Sequence, residues 1–580
     1  MGKILQNFFR ALNEQEKLFQ AELATDNLGI ALRAAVNELD WYDYNLRKVA
    51  ELNAEQHEQF SILTLGVTRL IKLALDARPS YDVPVVCFPR TKEITIKALN
   101  CVSGIGIIQH GRRVAQTVSS GRAKIELTNE KEFDITLPDR IHDENLLEKA
   151  VFEHYTAQSY RQFEEIMSSE LFQELHEKVS DLLQELVYPF AEHYIGYEAD
   201  PTLDAYFLGI ALHRLKGERG YDSFKYDLKF GGIEFQKYLN ALTFLIGSAI
   251  RHERFAEALA EKEEKSYLEN LLTISVDNEP FIESLRDAIN FLGEDLVGYT
   301  ETTTEEAATI FKVLSVGRDS TEMLDRPGCA LPLLIRVSDT AAIRCQTAAF
   351  HFPMQFLLDS LRWHFPEDYS KNQATREQSM QAAVERVMSE AFPNLIFRQN
   401  VKLRLDGQTL TDVDLVVAEP STGLILFVQL KHQDLYGEDL HAETQRKERL
   451  SSQVERWINS VDEWLSMNGP DNLSSTLRLP KKFPEPMIRT FILTRHFAGN
   501  LQKECDGKTL LSANWEVFYN SVHLVKQNST IAVVNDLLDY VEKGMEEGAS
   551  NTYLPEPESE WIVRDLKFKV QQIGNVEAAE

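Results

Sequence analysis

Positive charge is scarce in this chain. Its 61 lysines and arginines are outnumbered by 90 aspartates and glutamates, giving a formal net charge of −29 at pH 7. A general electrostatic grip on nucleic acid needs a basic footprint. Any nucleic-acid site must therefore be a local patch or one bridged by metal. Cysteine is sparse as well: Cys87, Cys101, Cys329, Cys345 and Cys505 contain no C-x-x-C pair, which argues against a zinc knuckle or a disulfide framework. Buried free thiols in a reducing cytoplasm are the expected state. Long apolar runs are missing too. "ALTFLIGSAI" is far too short to cross a bilayer, and "MGKILQNFFRALNEQEKLF" lacks the apolar core of a signal peptide. Gln6 stands where the myristoylation pattern wants Ser or Thr. The expectation is a cytoplasmic protein with no membrane partner.

Several familiar catalytic motifs are absent. "DGKT" at 506–509 ends like a phosphate-binding loop, but Gln502 replaces its first glycine. "HERFA" begins at His252 like a zinc-protease helix, with Ala256 where the second histidine belongs. No Gly-x-Ser-x-Gly elbow occurs. "GIGIIQHG" near 104 lacks dinucleotide-loop spacing.

What remains is ordinary globular material over 580 residues, enough for several domains. The pattern predicts a multidomain α+β protein. Residues 1–83 carry apolar positions at helical spacing, as in "FSILTLGVTRLIKLAL". Residues 84–142 read as a small β-rich insertion, because "EITIKAL", "AKIELT" and "FDITL" alternate apolar and polar. Residues 143–370 return to helix. Residues 371–546 form an α/β domain, and 547–580 read as an acidic surface tail.

The α/β stretch is the informative one. "REQSMQAAVERVMSEAF" reads as a helix, then "LIFRQNVKL", "TDVDLVV" and "LILFVQLK" as strands. "ETQRKERLSSQVERWINSVDEWL" follows as an amphipathic helix with Leu450, Val454, Trp457, Val461 and Trp464 or Leu465 as its stripe. "MIRTFILTR" and "WEVFYNSVHLV" supply two further strand candidates. Strand alternation puts Asp412 and Asp414 on one face, and Gln429 and Lys431 on one face of the next strand. The turn "EPSTG" makes these strands a hairpin, so Asp414 can approach Gln429 and Lys431. Helical spacing aligns Glu377, Gln381 and Glu385. Acids, an amide and a lysine at a sheet edge suit Mg²⁺ (or Mn²⁺), which favours oxygen ligands and keeps several waters. With such a metal, a water can be made acidic enough to attack a phosphodiester.

This set resembles the PD-(D/E)xK nucleases of the restriction-endonuclease-like fold. Asp414 matches the acid of the second strand. Gln429-Leu430-Lys431 matches the tripeptide of the third, in a Q-x-K form similar to that of Mrr-type enzymes. The resemblance spans roughly residues 370–530. It implies a metal-dependent nuclease, a DNA endonuclease acting in bacterial defence, the alternative being a weak or inactive copy of the fold that serves as a nucleic-acid-binding or assembly scaffold. Asp414, Gln429, Lys431 and Glu385 would be catalytic, with metal held by Asp414, Glu385, Gln429 and the main chain of Leu430. Glu385 fits the helix acid best, since the chain between it and Asp414 has room for one helix end and one strand; Glu377 is the alternative. Gln429 offers a neutral oxygen where the family often has a carboxylate, and Thr411 or Val413 stands near the place of the family's proline. Nucleic acid, with DNA ahead of RNA, is the implied partner, and a second copy of the chain is a further candidate. Arg446, Lys447 and Arg449 in "QRKER" are the local basic residues available for docking; a solvated helix face is the plain alternative for them.

Overall fold

The computed structural model describes all residues except 1, 26–27, 50–51, 79–89, 122, 138–150, 152–153, 156–164, 191–193, 220–223, 326–328, 352, 374, 433–439, 469, 497–509, 529–532, 551–557 and 573–580. The protein is mixed α and β, with helices in the majority and several small sheets.

The N-terminal lobe starts with four helices: α1 (Lys3–Thr25), α2 (Leu28–Leu46), α3 (Ala54–Ala77) and α4 (Lys92–Ser119). The stretch 93–99, expected as a strand, is instead the start of α4. Thr91 caps that helix by accepting from the Ile94 amide, and Ala98, Val102, Ile105 and Ile108 bury one helical face. Ile94 and Ile96 imitate a strand locally, but the longer helical period and the packing of α4 decide the outcome. The glycines of "GIGIIQHG" serve that packing. A Cβ on Gly106 would meet the Ile62 carbonyl of α3 at 2.1 Å, and one on Gly66 of α3 would meet the Val102 carbonyl at 2.1 Å. Only glycine permits so close a backbone approach.

Strands β1 (Lys124–Asn129) and β2 (Glu132–Leu137), in the stretch expected to be β-rich, form a hairpin. A long buried helix, α5 (Phe235–Lys262), crosses the lobe, and a four-stranded sheet of Ser275–Asp277, Ala341–Arg344, Leu334–Arg336 and Ser315–Val316 lies beside it.

Helix α6 (Pro366–Gln373) still packs with the N-terminal lobe, and the second lobe begins with α7 (Arg376–Ala391). A five-stranded sheet follows in the order β3 (Ile396–Leu405), β4 (Gln408–Glu419), β5 (Leu424–Lys431), β6 (Met487–Thr494) and β7 (Leu510–Asn514). The first three strands are antiparallel to one another, and β5, β6 and β7 run parallel. The parallel pair β5–β6 is joined through α8 (Leu440–Met467), as a parallel connection requires. Helices α7, α9 (Trp515–Asn528) and α10 (Val534–Ser550) cover one face, burying Met380, Val384, Val387, Phe518, Val522 and Val541 against Leu415, Leu426 and Val428. Helix α8 covers the other face with the predicted stripe, Leu450, Val454, Trp457, Val461 and Trp464.

The segment "WEVFYNSVHLV", read as a strand, is helix α9. Asn514 caps it by accepting from the Val517 amide at 2.9 Å, and Phe518, Val522 and Val525 are buried at helical spacing. Aromatic and β-branched content imitates strand composition here, while the cap and the period are helical. The real strand is the preceding β7.

The expected domain borders also shift. Residues 547–580 are not a surface tail alone. They contain β8 (Glu558–Val563) and β9 (Leu566–Gln572), and β9 pairs in parallel with β2. Leu566, Phe568 and Val570 are buried in the N-terminal core, where Phe568 meets Phe8 edge-on at 5.5 Å. The segment 84–142 is therefore no separate insertion, because its hairpin becomes half of a sheet only with β8 and β9. Conversely, Val151 and Tyr155 belong to the core of the second lobe, where the Tyr155 hydroxyl donates to the Gly544 carbonyl at 3.1 Å.

Candidate functional site

The site lies where β4 and β5 part. Their pairing runs from Glu419–Leu424 to Leu415–Val428 and stops there. At the next residue, Asp414, the alternation of β4 breaks: Val413 packs on the α8 side and Leu415 on the α7 side. The neighbouring strand jogs at the same level. Asn400 has a left-handed φ of +50°, between the pairs Gln399–Leu415 and Val401–Val413. A left-handed residue of this kind re-aims a strand. Asp414 is thereby turned across the opening, and its carboxylate accepts from the Leu430 amide at 2.7 Å. Its main-chain carbonyl accepts from the Gln381 side chain of α7.

Burial raises the Asp414 carboxyl to about 6. The Leu430 amide and the Lys431 ammonium pull it down less than desolvation pushes it up, and Glu377 and Asp412 add repulsion. A carboxylate raised by desolvation and like charge gains from any cation that replaces its lost water.

Gln429 is 6% exposed. Its side-chain oxygen is buried with no hydrogen-bond partner among the described residues. Such an acceptor normally has a partner, since leaving it unpaired costs about 1–3 kcal/mol. Lys431 closes the strand, with its ammonium 3.9 Å from the Glu377 carboxylate. The Leu430 side chain is core, leaving its main chain to take part.

The structure thus brings together Asp414, the Leu430 main chain, Lys431 and Glu377, with Gln429 one residue before Leu430 on β5. Glu385, expected as the helix acid, is not among them. It accepts from the Gln399 side chain at 2.7 Å, two turns along α7 from Glu377. The physical reason is the direction of α7: its first turn faces the open strand ends, Gln381 sits over Asp414, and Glu385 has passed on to β3. Asp412 is exposed, and its carbonyl accepts from the Trp457 indole at 2.7 Å. Trp464 likewise donates to the Arg404 carbonyl at 3.0 Å, so α8 is stapled to the strands that carry the site. Arg449 is exposed, while the side chains of Arg446 and Lys447 lie outside the described residues.

One neighbour went unread in the sequence. "LTRH" (493–496) repeats the ending of "QLKH" (429–432), and the strands pair in register, Lys431 beside Thr494. The Arg495 amide donates to the Lys431 carbonyl at 2.9 Å, and its buried guanidinium pairs with Glu516 at 3.0 Å. The His432 and His496 rings stand 6.3 Å apart. The repeated basic-His ending is the signal that marks this corner.

Among the described residues, no three His, Cys, Asp or Glu side chains converge as a ready-made metal cage. The donor set here is of another kind: two carboxylates, an amide oxygen and a main chain. It suits a hard cation that keeps waters and takes further oxygens from a phosphate. Comparison with protein-family models, with curated proteins and with solved structures finds no match for this chain.

Proposed function

We propose that the protein is a metal-dependent nuclease, hydrolysing phosphodiester bonds of nucleic acid and most directly of DNA. The observation that carries this reading is the desolvated Asp414 carboxylate bonded to the Leu430 amide, with the side-chain oxygen of Gln429, one residue earlier on β5, buried and without a hydrogen-bond partner among the described residues. Two oxygen donors in need of a positive partner stand next to a lysine at an open sheet edge. The strand order, with α7 before the hairpin and α8 after it, supports a restriction-endonuclease-like core.

Asp414, Gln429 and the Leu430 main chain would hold Mg²⁺ or Mn²⁺, with Glu377 as the helix acid. When bound, the cation supplies an acidified water and offsets charge building on the phosphate. Lys431 would orient or deprotonate the attacking water and stabilise the anionic transition state. Asp414 accepts from the Leu430 amide and so fixes the spacing of the two strand ends. Acting on foreign DNA in bacterial defence, in the cytoplasm and with a second copy of the chain as a partner, fits this chemistry, while the net charge of −29 works against general DNA binding. A substrate must then be steered by local base, of which Arg446, Lys447 and Arg449 are the candidates nearest the hairpin in sequence.

The test is plasmid, single-stranded DNA and RNA incubated with the full chain in Mg²⁺, Mn²⁺ or EDTA, beside Asp414→Ala. Cleavage that needs metal and disappears in Asp414→Ala is expected. Near wild-type cleavage by folded Asp414→Ala would overturn the site.

A further inference from the structure

Helix α7 is shared between two cores. Met380, Val384, Val387 and Met388 pack under the five-stranded sheet. Its first residue, Arg376, goes elsewhere. The Arg376 guanidinium lies 4.5 Å from the centre of the Phe224 ring and 5.5 Å from that of Tyr369, and both rings belong to the N-terminal core. Arg376 is 1% exposed. Phe224 in turn packs edge-on against Phe230, Phe235 and Tyr369. The preceding helix α6 is tied to the same lobe: the Gly231 amide donates to Asp368 at 2.7 Å, and Asn372 donates to the Lys229 carbonyl at 2.9 Å. The start of α7 is therefore seated in the N-terminal lobe.

The next residue is Glu377. Its carboxylate is half exposed and 3.9 Å from Lys431, and an exposed pair at that distance holds a side chain only weakly. Its backbone has a firmer hold, because Arg376 beside it is buried among rings. One turn on, Gln381 donates to the main chain of Asp414. Helix α7 thus joins an aromatic cage in one lobe to the open strand ends in the other. A stacked guanidinium is a specific seat, since a planar cation over ring faces combines packing with charge.

We infer that Arg376 is a positioning residue: through it the N-terminal lobe sets where Glu377 stands relative to Asp414 and Lys431. Packing around Phe224 and Tyr369 is then transmitted to the site's affinity for a divalent cation. The metal readout rests on the nuclease reading; the mechanical link between cage and site does not.

The test uses the full chain, Mn²⁺ binding followed by electron paramagnetic resonance, and amide hydrogen exchange in the peptide containing Leu430. Arg376→Met should weaken Mn²⁺ binding about tenfold, the low end of what loss of an outer support costs a metal site. Arg376→Lys, which keeps the cation, should recover most of it. Glu377→Gln should weaken binding alone, and adding Arg376→Met should cost nothing more, because the two act in series. Exchange at Leu430, whose amide Asp414 holds, should quicken in Arg376→Met. Wild-type affinity and exchange in Arg376→Met, or losses that add in the double variant, overturn the proposal. If the unaltered protein binds no Mn²⁺, the nuclease reading falls, and exchange at Leu430 alone decides the link. Should Arg376→Met fail to fold, Phe224→Leu carries the same comparison with α7 intact.

Discussion

The Asp414 carboxylate accepts a hydrogen bond from the Leu430 amide at 2.7 Å, bridging the gap where β4 and β5 separate. This contact holds the site open at one fixed width, and it sits on a carboxyl raised by burial from 3.8 to about 6. The sign of its effect on stability follows. A raised pKa means that the folded state binds the proton more tightly than the unfolded chain. That contribution is full below the ordinary value and is lost as pH climbs through about 6. At neutral pH the ionised Asp414 costs roughly 2–3 kcal/mol.

Asp414→Asn should therefore stabilise the protein at pH 7 by roughly 2 kcal/mol and leave it unchanged well below the ordinary carboxyl range. Urea denaturation at the two pH values checks this. Equal stability at neutral pH would remove the claim that Asp414 is strained by burial. The same variant should lose cleavage, so function and stability move in opposite directions.

Glu377 and Glu385 separate cleanly. Glu377→Gln should lower cleavage at least tenfold, in the range seen when a metal site loses a support. Glu385→Gln, whose partner is Gln399, should stay within about twofold, the range of a surface change. Rates for both variants at saturating Mg²⁺ and at low Mg²⁺ decide the matter. A reversed order would return the helix role to Glu385.

Gln429→Glu adds a charge where a neutral oxygen lies buried. Ligand charge count raises affinity for hard cations, so half-maximal cleavage should need less metal. Without metal the variant should be less stable, because a buried carboxylate without a partner is costly. An unchanged metal requirement would place Gln429 outside the ligand set.

In the N-terminal lobe, Gly106→Ala should destabilise by about 1–3 kcal/mol, since the new methyl meets backbone that cannot yield. Gly209, in the helix Pro201–Arg219, has open space around it. Gly209→Ala should instead gain about 0.5–1 kcal/mol from helix propensity. Thermal unfolding of both compares a packing glycine with an incidental one; similar shifts would mean that α3 and α4 do not meet closely.

Much of the second lobe was legible because its periods are unmixed. "LILFVQLK" is buried on both faces, and the α8 stripe repeats at helical spacing, so both elements follow from pattern alone. The approach of Asp414 to the end of β5 followed from a short turn, although the ladder stops at Leu415–Val428 and the carboxylate meets the Leu430 amide. What the pattern hid is set by distant contacts. The jog at Asn400 and Asp414 breaks alternation; asparagine tolerates the left-handed region, yet an asparagine alone does not mark where a strand turns. Choosing Glu377 over Glu385 needs the tilt of α7, whose first residue Arg376 meets the ring of Phe224, 152 positions earlier in the chain. The strand-like start of α4 was overruled by packing against α3. The apolar alternation of Leu566, Phe568 and Val570 was readable, yet the acid-rich residues before it drew attention to solvent.

The return of the C-terminal hairpin sets an order in time. Lys131 and Asp565, 434 residues apart in sequence, form an ion pair beside the junction of β2 and β9. On a ribosome adding 5–20 residues per second, roughly 20 to 90 seconds pass between their emergence. Throughout that interval β2 has one edge without its strand, and Phe133 lacks Phe568's side of the core, an exposure that invites wrong pairing. The sheet carrying Asp414 has all its strands earlier. The lobe made first is thus completed last, and a chain cut between Asn514 and Leu566 keeps the site's strands while leaving its N-terminal partner unfinished.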